Sequence, residues 1–296
     1  MKISEELKQE IIIYFDNLKH KSNTSADKRY LEKQLTDREK YLLENGYLQE
    51  QNFNGIILIK PTEKLLFLPF DEIENLISGF ECTENNFEEN FKKRFNFYYE
   101  KVRDNFGEKL QKENEIYICP YCEKNYVNLV ETDKRTIKPD LDHFYPKSKY
   151  PFLACCIENL IPACQVCNSR LKSDKEVSIN PLEERVFKKF KFTYKDKICL
   201  ENYTKLVTDD SVKNYLDTFK IQEVYSTHTE ILEDIQKKFK KYNEIKRKHL
   251  VACCPSMREN EILEVIFYEY KYENKKHPLR KLKKDLFEQI KKEATS

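Results

Sequence analysis

The chain has 296 residues, of which 40% are apolar and 35% charged, with 53 basic and 51 acidic side chains. A formal net charge of only +2 excludes a general polyanion binder that depends on bulk charge, so any nucleic-acid contact must come from local patches. Four Gly against 19 Tyr and 19 Phe disfavour a Gly-rich sandwich or barrel and predict a mainly α protein with small β elements.

The sequence has no apolar run near the roughly 18 residues that span a bilayer. The start, "MKISEELKQEIIIYF", has acidic residues where a signal peptide has a basic and then an apolar stretch. These features predict a cytoplasmic protein with no membrane partner. In a reducing cytosol, the ten cysteines are expected to be metal ligands, buried apolar side chains or reactive thiols rather than disulfides.

The N-terminal third predicts helices and one hairpin. Residues 3–19 and 26–46 have the spacing of amphipathic helices. Two apolar runs on either side of Pro-Thr-Glu-Lys predict a hairpin over 55–69. Helices before a hairpin fit either a winged-helix arrangement or a helical cap packed on the next part of the chain. Aromatic residues at three- and four-residue steps predict a long helix over 87–110.

Two Cys-x-x-Cys pairs separated by 41 residues dominate the middle of the chain: Cys119, Cys122, Cys164 and Cys167. One such turn presents both sulfurs to an ion at about 2.3 Å, and two turns complete a tetrahedral Zn²⁺ site. Four sulfur ligands leave no open position, so this zinc is predicted to be structural and catalysis to use other residues. The adjacent cysteines at 155–156 and 253–254 are predicted to be buried apolar side chains.

Polar side chains are concentrated in the stretch "DLDHFYPKSKYPFLACCIENLIPACQVCNSRLK". Asp142 and His143 are adjacent. Asn159 lies where the following loop leads into "LIPAC", and Asn168 directly follows the last cysteine of the two pairs. Hydrolysing a phosphodiester requires a deprotonated water and a cation that neutralises charge on the phosphate and the leaving oxygen. His143 suits the role of general base because an imidazole titrates near working pH.

This arrangement resembles the HNH endonuclease family, the ββα-metal nucleases, over 116–175, about one fifth of the chain. "LDHFYPKS", "ENLIPAC" and "CNSRLK" correspond to the three family motifs. Many members have His where this chain has Asn168. The HNH domain of RNA-guided CRISPR nucleases has Asn there, after an Asp-x-Asp-His segment like the one at 140–143.

The resemblance implies a ββα-metal (HNH) core at 111–182 with the structural zinc. On one side is a helical N-terminal region with a hairpin at 1–110. On the other is a C-terminal region at 183–296, where "VFKKFKFTYKDKICLEN" predicts a strand or hairpin and lysine-rich helices come after it from about residue 211.

The resemblance also implies the roles of the site residues. Asp142 and Asn168 would ligate one Mg²⁺ or Mn²⁺, cations that prefer oxygen donors. His143 would activate the water, and Asn159 would bond the loop backbone and hold the strand that carries the base. Asp140 would orient Asp142 or a hydrated ion, or is an exposed acid. The expected products carry 5′-phosphate and 3′-hydroxyl ends.

Basic residues offer contacts to nucleic acid. Those near the motifs would bind phosphates beside the cut or be solvated surface cations: Lys147, Lys149, Arg170 and Lys172. Seven Lys and Arg within 236–249, and a second group at 275–284, would either follow a phosphate backbone or form the wet face of a helical bundle.

The sequence therefore predicts a metal-dependent HNH endonuclease that cuts DNA, with RNA left open. The motifs look like those of stand-alone bacterial nucleases and of nuclease subunits of antiphage systems such as Septu and some retrons, which work with an ATPase partner. One alternative is an inactive zinc-stapled module that binds nucleic acid or protein. Another is a redox protein using its Cys-x-x-Cys pairs, for which the thioredoxin-like strand–turn–helix context is missing.

Overall fold

The computed structural model shows a mainly helical protein with small two-stranded sheets. Its contacts divide the chain into two compact units: Met1–Ile116 with Val127–Glu176, and Tyr117–Tyr126 with Val177–Ser296. The sequence boundaries near 110 and 182 remain predictions. Within the described part of the chain, no helix is long and apolar enough to cross a membrane. The structure describes residues 3–18, 35–53, 56–80, 87–133, 136–182, 186–195, 197–202, 208–254, 256–267, 270 and 277–295.

The N-terminal elements of the first unit are α1 (Glu5–Asp16), α2 (Asp37–Glu44), β1 (Leu48–Phe53), β2 (Ile56–Pro61), α3 (Glu63–Leu66), α4 (Phe70–Gly79) and α5 (Glu89–Glu113). The first predicted helix is confirmed. The second is confirmed from residue 37 onward, where Thr36 and Glu39 form a capping box, and its first part at 26–34 lies outside the described residues.

The hairpin predicted over 55–69 is wrong in its register. The observed strands β1 and β2 pair earlier in the chain, from Leu48↔Pro61 to Phe53↔Ile56. The second apolar run forms α3 instead, in which Leu65 and Leu66 are buried. The sequence between the two strands is Asn-Gly, a dipeptide that favours a two-residue hairpin connection, and these two residues lie outside the described part of the chain.

Helix α5 is the central element of this unit, and the predicted aromatic periodicity is confirmed. One face places a stripe of side chains in the core at three- and four-residue steps: Phe91, Phe95, Tyr98, Val102, Phe106 and Leu110. Lys60 on β2 is buried and donates to the carbonyl oxygens of Phe15 and Asp16 at 2.7 and 3.0 Å, which stabilises the C-terminal end of α1.

The rest of this unit is a small region of short elements packed on α5. They are β3 (Val130–Glu131), β4 (Thr136–Ile137), β5 (Asp140–His143), 3₁₀ turns at Pro151–Leu153 and Ile157–Asn159, β6 (Leu160–Ala163) and a π-helical segment at Val166–Lys172. Strands β5 and β6 are antiparallel. A Cβ added to Gly107 on α5 would lie 3.3 Å from Leu141 Cδ1, so the bare glycine lets the helix approach β5 closely.

The second unit contains β7 (Phe192–Tyr194), β8 (Ile198–Leu200), α6 (Asp210–Phe219), α7 (Ile221–Ser226), α8 (Thr229–Lys241), α9 (Glu244–Cys253), α10 (Glu259–Ile266) and α11 (Arg280–Thr295). The predicted hairpin and the helices after it are confirmed. The basic stretch 236–249 is divided between two helices, α8 and α9. Asn243 caps the second of them by accepting from Lys246 N.

Candidate functional site

The first cysteine pair lies on a tight turn of the second unit. Cys119 N donates to Asn125 O and Glu123 N donates to Cys119 O, both at 2.8 Å. Two tyrosines on α6 and α7 bond to the backbone of this turn. Tyr215 donates to Tyr121 O at 2.7 Å, and Tyr225 donates to Cys122 O at 2.6 Å. These bonds fix the direction of both sulfurs.

The four predicted zinc ligands come together. The sulfurs of Cys119, Cys122, Cys164 and Cys167 all lie within 4.8 Å of one another and all four residues are buried. A tetrahedral zinc with bonds of about 2.3 Å separates its sulfurs by about 3.8 Å, which lies within this limit. Four thiolates are also the donor set of a structural zinc. The protein therefore has a buried cysteine cluster that fits a metal such as zinc.

The remaining described cysteines divide by environment. Cys155 and Cys156 are fully buried, and burial raises the pKa of the Cys156 thiol to about 12, so both are neutral core side chains as predicted. Cys253 and Cys254 are exposed, and the prediction that they are buried is wrong. Their α9 has no buried residue, which explains the difference.

His143, the predicted base, ends β5 and is 7% exposed. Its Nε2 lies 3.0 Å from Ala154 O, and its ring centroid lies 4.5 Å from that of Tyr99 on α5. A carbonyl oxygen only accepts, so Nε2 carries the proton and Nδ1 carries the lone pair. Burial, followed by the charge of Lys147, lowers the pKa of His143 to about 3, so the imidazole is neutral at physiological pH. In this environment it is a weaker base than the free imidazole on which the sequence expectation rests.

Asn159, the predicted loop-holding residue, is fully buried where the loop returns to β6. Its Oδ1 accepts from Tyr145 N at 2.8 Å, and its Nδ2 donates to Tyr145 O and Leu153 O at 3.1 and 3.2 Å. Phe144 N donates to Asn159 O at 2.9 Å. This one residue joins both ends of the loop between β5 and β6, next to the carbonyl that orients His143.

Asp142, a predicted cation ligand, lies in an interior ion pair. It is 2% exposed, and its Oδ1 and Oδ2 lie 3.3 and 3.2 Å from the ammonium of Lys172, which is fully buried. Lys172 also donates to His143 O at 2.7 Å. The predicted phosphate contact does not fit Lys172, because its ammonium is buried and pairs with the Asp142 carboxylate. The pair instead fixes the end of β5 against the π-helical segment.

Asn168, the second predicted cation ligand, lies on an open surface. Its Nδ2 donates to Asp140 Oδ2 at 3.1 Å. Both residues line a cavity of about 600 Å³ together with Tyr99, Arg103 and Ser169. The Asp140 carboxylate and the Asn168 amide oxygen are hard donors that fit a partly hydrated Mg²⁺ or Mn²⁺. Asp142 fits such an ion only if Lys172 withdraws, because the ammonium already neutralises its carboxylate.

The other predicted phosphate contacts are at the surface. Lys147 and Arg170 are exposed, while Lys149 pairs with Glu176 at 2.9 Å. In the basic C-terminal helices, several lysines pair with acids one turn away on the same helix, including Lys237 with Glu233. Of the two interpretations for those helices, the solvated face fits these pairs better.

Sequence reasoning missed several partners in this region. Tyr99, Arg103 and Gly107 come from α5, more than 30 residues before β5, and their spacing signals only a core helix with a polar face. The sequence shows the charge of Lys172 but not its burial. A Lys four residues after Asn168 could be exposed or buried, and the sequence contains no signal that separates these two placements.

No family model, curated protein or solved structure matches this chain. Function is therefore inferred from the side chains that the fold assembles.

Proposed function

We propose that the protein is a metal-dependent endonuclease of HNH type that hydrolyses phosphodiester bonds in DNA. The observation that carries the proposal is the state of His143. Its Nε2–H is committed to Ala154 O, which leaves Nδ1 as a base on a neutral imidazole. A satisfied structural histidine also makes such a bond, but the ring of Tyr99, whose centroid lies 4.5 Å from that of this imidazole, lines the cavity that contains Asp140 and Asn168.

In the proposed mechanism, His143 Nδ1 removes a proton from the water that attacks phosphorus. Asp140 and Asn168 would hold the divalent cation, and Asp142 would join them only if Lys172 withdraws from its carboxylate. That cation would supply positive charge to the phosphate and the departing 3′ oxygen. Asn159 keeps the loop that presents Ala154 O in place, so the imidazole does not turn away from the water.

A plasmid-nicking assay tests this proposal, using zinc-replete protein to which Mg²⁺ or Mn²⁺ is added or withheld. We expect nicking only with added cation, and a loss of about 10²- to 10⁴-fold in rate in His143→Ala. His249→Ala changes an exposed histidine on α9 and should retain the wild-type rate. Equal rates in both histidine variants, or intact DNA with every cation, would reject the proposal.

A second candidate is an inactive zinc-stapled module that binds nucleic acid or protein. The observation in its favour is the buried pair of Asp142 and Lys172, which satisfies the carboxylate without a metal. The same samples separate the two candidates. A module would retard DNA without cutting it, and His143→Ala would leave that binding unchanged.

A role in antiphage defence with an ATPase partner extends the nuclease proposal. It would be tested by phage plating on bacteria that carry this chain with and without an ATPase, if one is found encoded beside its gene. Protection that needs both proteins, and that His143→Ala abolishes, would support the role. Protection that survives in His143→Ala would assign any defence to something other than cleavage.

A further inference from the structure

Two cations converge on a single aromatic ring beside the proposed base. Lys147 Nζ lies 5.0 Å and Arg103 Cζ lies 5.7 Å from the ring centroid of Tyr99. The same ring lies 4.5 Å from that of His143. Arg103 comes from α5 and Lys147 from the loop after β5, so the tertiary fold creates this concentration of positive charge.

The nearby protein groups neutralise this charge only in part. Among the described residues, the Lys147 ammonium donates to the neutral Asn96 Oδ1 at 2.8 Å rather than to a carboxylate. Arg103 donates to its neighbour Asp104 through Nε at 2.8 Å, a bond that uses one of the five N–H donors of the guanidinium. Burial and then the charge of Arg103 lower the pKa of Lys147, while the charge of Glu100 raises it, so Glu100 offsets only part of the repulsion between the two cations. An anion placed between them would relieve that repulsion.

The surroundings are open enough for a strand of nucleic acid. Arg103 and Tyr99 line the cavity of about 600 Å³ that contains Asp140 and Asn168. Lys147 and Ala154 line a second cavity of about 570 Å³ along α5. His143 lines neither cavity, but it contacts Tyr99, which lines the first, and Ala154, which lines the second. A strand that occupied both cavities would pass the residues that contact the proposed base.

We propose that Arg103 and Lys147 form a clamp for a backbone phosphate of DNA next to the scissile bond, with Tyr99 as its floor. The location next to the scissile bond rests on the proposed nuclease function, whereas the phosphate binding itself does not. A guanidinium fork and an ammonium are the usual partners of phosphate oxygens, and they recognise the backbone without reading sequence. The two side chains therefore act as positioning residues.

Binding is tested without cleavage, in a His143→Ala background, on a labelled DNA duplex. The clamp variant is Arg103→Gln with Lys147→Gln. The control is Lys109→Gln with Lys112→Gln, which removes the same charge from exposed positions of the same helix. We expect the clamp variant to bind about 10-fold or more weakly at low salt and its salt slope to be shallower by roughly 1 to 2, with the control within about threefold of the parent.

Several outcomes would overturn the clamp. Equal losses in the clamp and control variants would indicate a bulk charge effect. A matching RNA duplex that is bound more tightly than DNA, with the same dependence on the two residues, would assign the clamp to RNA. An unchanged melting temperature in the clamp variant is required, since a structural role would lower it. Arg103→Lys should retain more affinity than Arg103→Gln.

Failure of the clamp and failure of the nuclease proposal are distinguishable. If wild-type protein cuts DNA and the clamp variant cuts with unchanged KM, the clamp is wrong and the nuclease stands. If wild-type protein cuts nothing but the clamp variant still loses DNA affinity and salt slope, the phosphate site stands and the nuclease does not. If both hold, the clamp variant raises KM more than it lowers kcat.

Discussion

Asn159 shows how one side chain can determine the geometry of the site. It is fully buried and makes three side-chain hydrogen bonds to the backbone of Tyr145 and Leu153. Asn159→Ala leaves those backbone groups unpaired in the interior, so we expect the free energy of unfolding to fall by about 2–4 kcal/mol. Urea denaturation measures this loss.

The control for that experiment is Asn105→Ala, an exposed Asn on α5. It should change the free energy of unfolding by less than about 1 kcal/mol, as most surface substitutions do. Similar losses in the two variants would mean that the loop is held by something other than Asn159.

The pair of Lys172 and Asp142 is a second residue-scale device. Lys172→Met would leave a buried carboxylate without its cation, and we expect it to cost about 3–5 kcal/mol of unfolding free energy. Adding Asp142→Asn to that variant should recover part of the loss, because the uncompensated charge is then gone. The double-mutant cycle, measured by denaturant unfolding, gives the coupling. Additive losses would show that the two groups do not interact.

At the scale of elements, the sequence predicts what local periodicity controls. The stripe along α5, the helix at α1 and the hairpin of β7 and β8 are all confirmed. The predicted register of β1 and β2 is wrong, because two apolar runs outweigh the Asn-Gly turn signal in such a prediction. Leu65 and Leu66 need burial, and a short helix buries them as well as a strand does.

Only the part of the candidate site that depends on local residue spacing could be predicted from the sequence. Two Cys-x-x-Cys pairs indicate the sulfur cluster because turn geometry is local. The partners of the polar residues are long-range. Tyr99 reaches His143 from 44 positions earlier in the chain, and Lys172 reaches Asp142 from 30 positions later. Such contacts depend on how elements pack, and one sequence does not specify that.

The contact of α5 with β5 can be tested at Gly107, where the sign of the change in unfolding free energy is informative. Helix propensity alone would make Gly107→Leu stabilising by about 0.5–1 kcal/mol. Leu141 Cδ1 lies 3.3 Å from an added Cβ, so the Leu141 side chain must shift to admit a larger residue at position 107. We therefore expect a net loss of about 1–3 kcal/mol in unfolding free energy, measured by denaturation, with a smaller effect in Gly107→Ala. Stabilisation by Leu would mean that α5 and β5 are not in close contact.

At the scale of the whole molecule, the polar residues of the proposed site all belong to the first unit. Tyr99 and Arg103 lie on α5, His143 ends β5, and Asn168 lies on the π-helical segment directly after Cys167. A net charge of +2 hides this arrangement, since the relevant positive charge is a local pair. Composition therefore says little about function in this protein, and tertiary placement says more.

The cysteine cluster gives the last prediction, which concerns the stability of the protein. Its two pairs are 41 residues apart in the chain, so a bound ion would close a long loop. Binding a structural zinc supplies on the order of 10 kcal/mol, comparable with the whole stability of an ordinary domain. Purified protein should contain about one zinc per chain by elemental analysis. Cys164→Ser should lose the zinc and become insoluble or melt at a much lower temperature.

Cys253→Ser, which alters an exposed thiol on α9, is the matched control and should retain both zinc and melting temperature. Stripping zinc from the wild-type protein with a chelator should lower the melting temperature, and adding zinc back should restore it, since the ion binds only the folded arrangement of sulfurs. If zinc-free protein melts at the same temperature, the four buried cysteines are held together by packing alone and the zinc prediction is wrong.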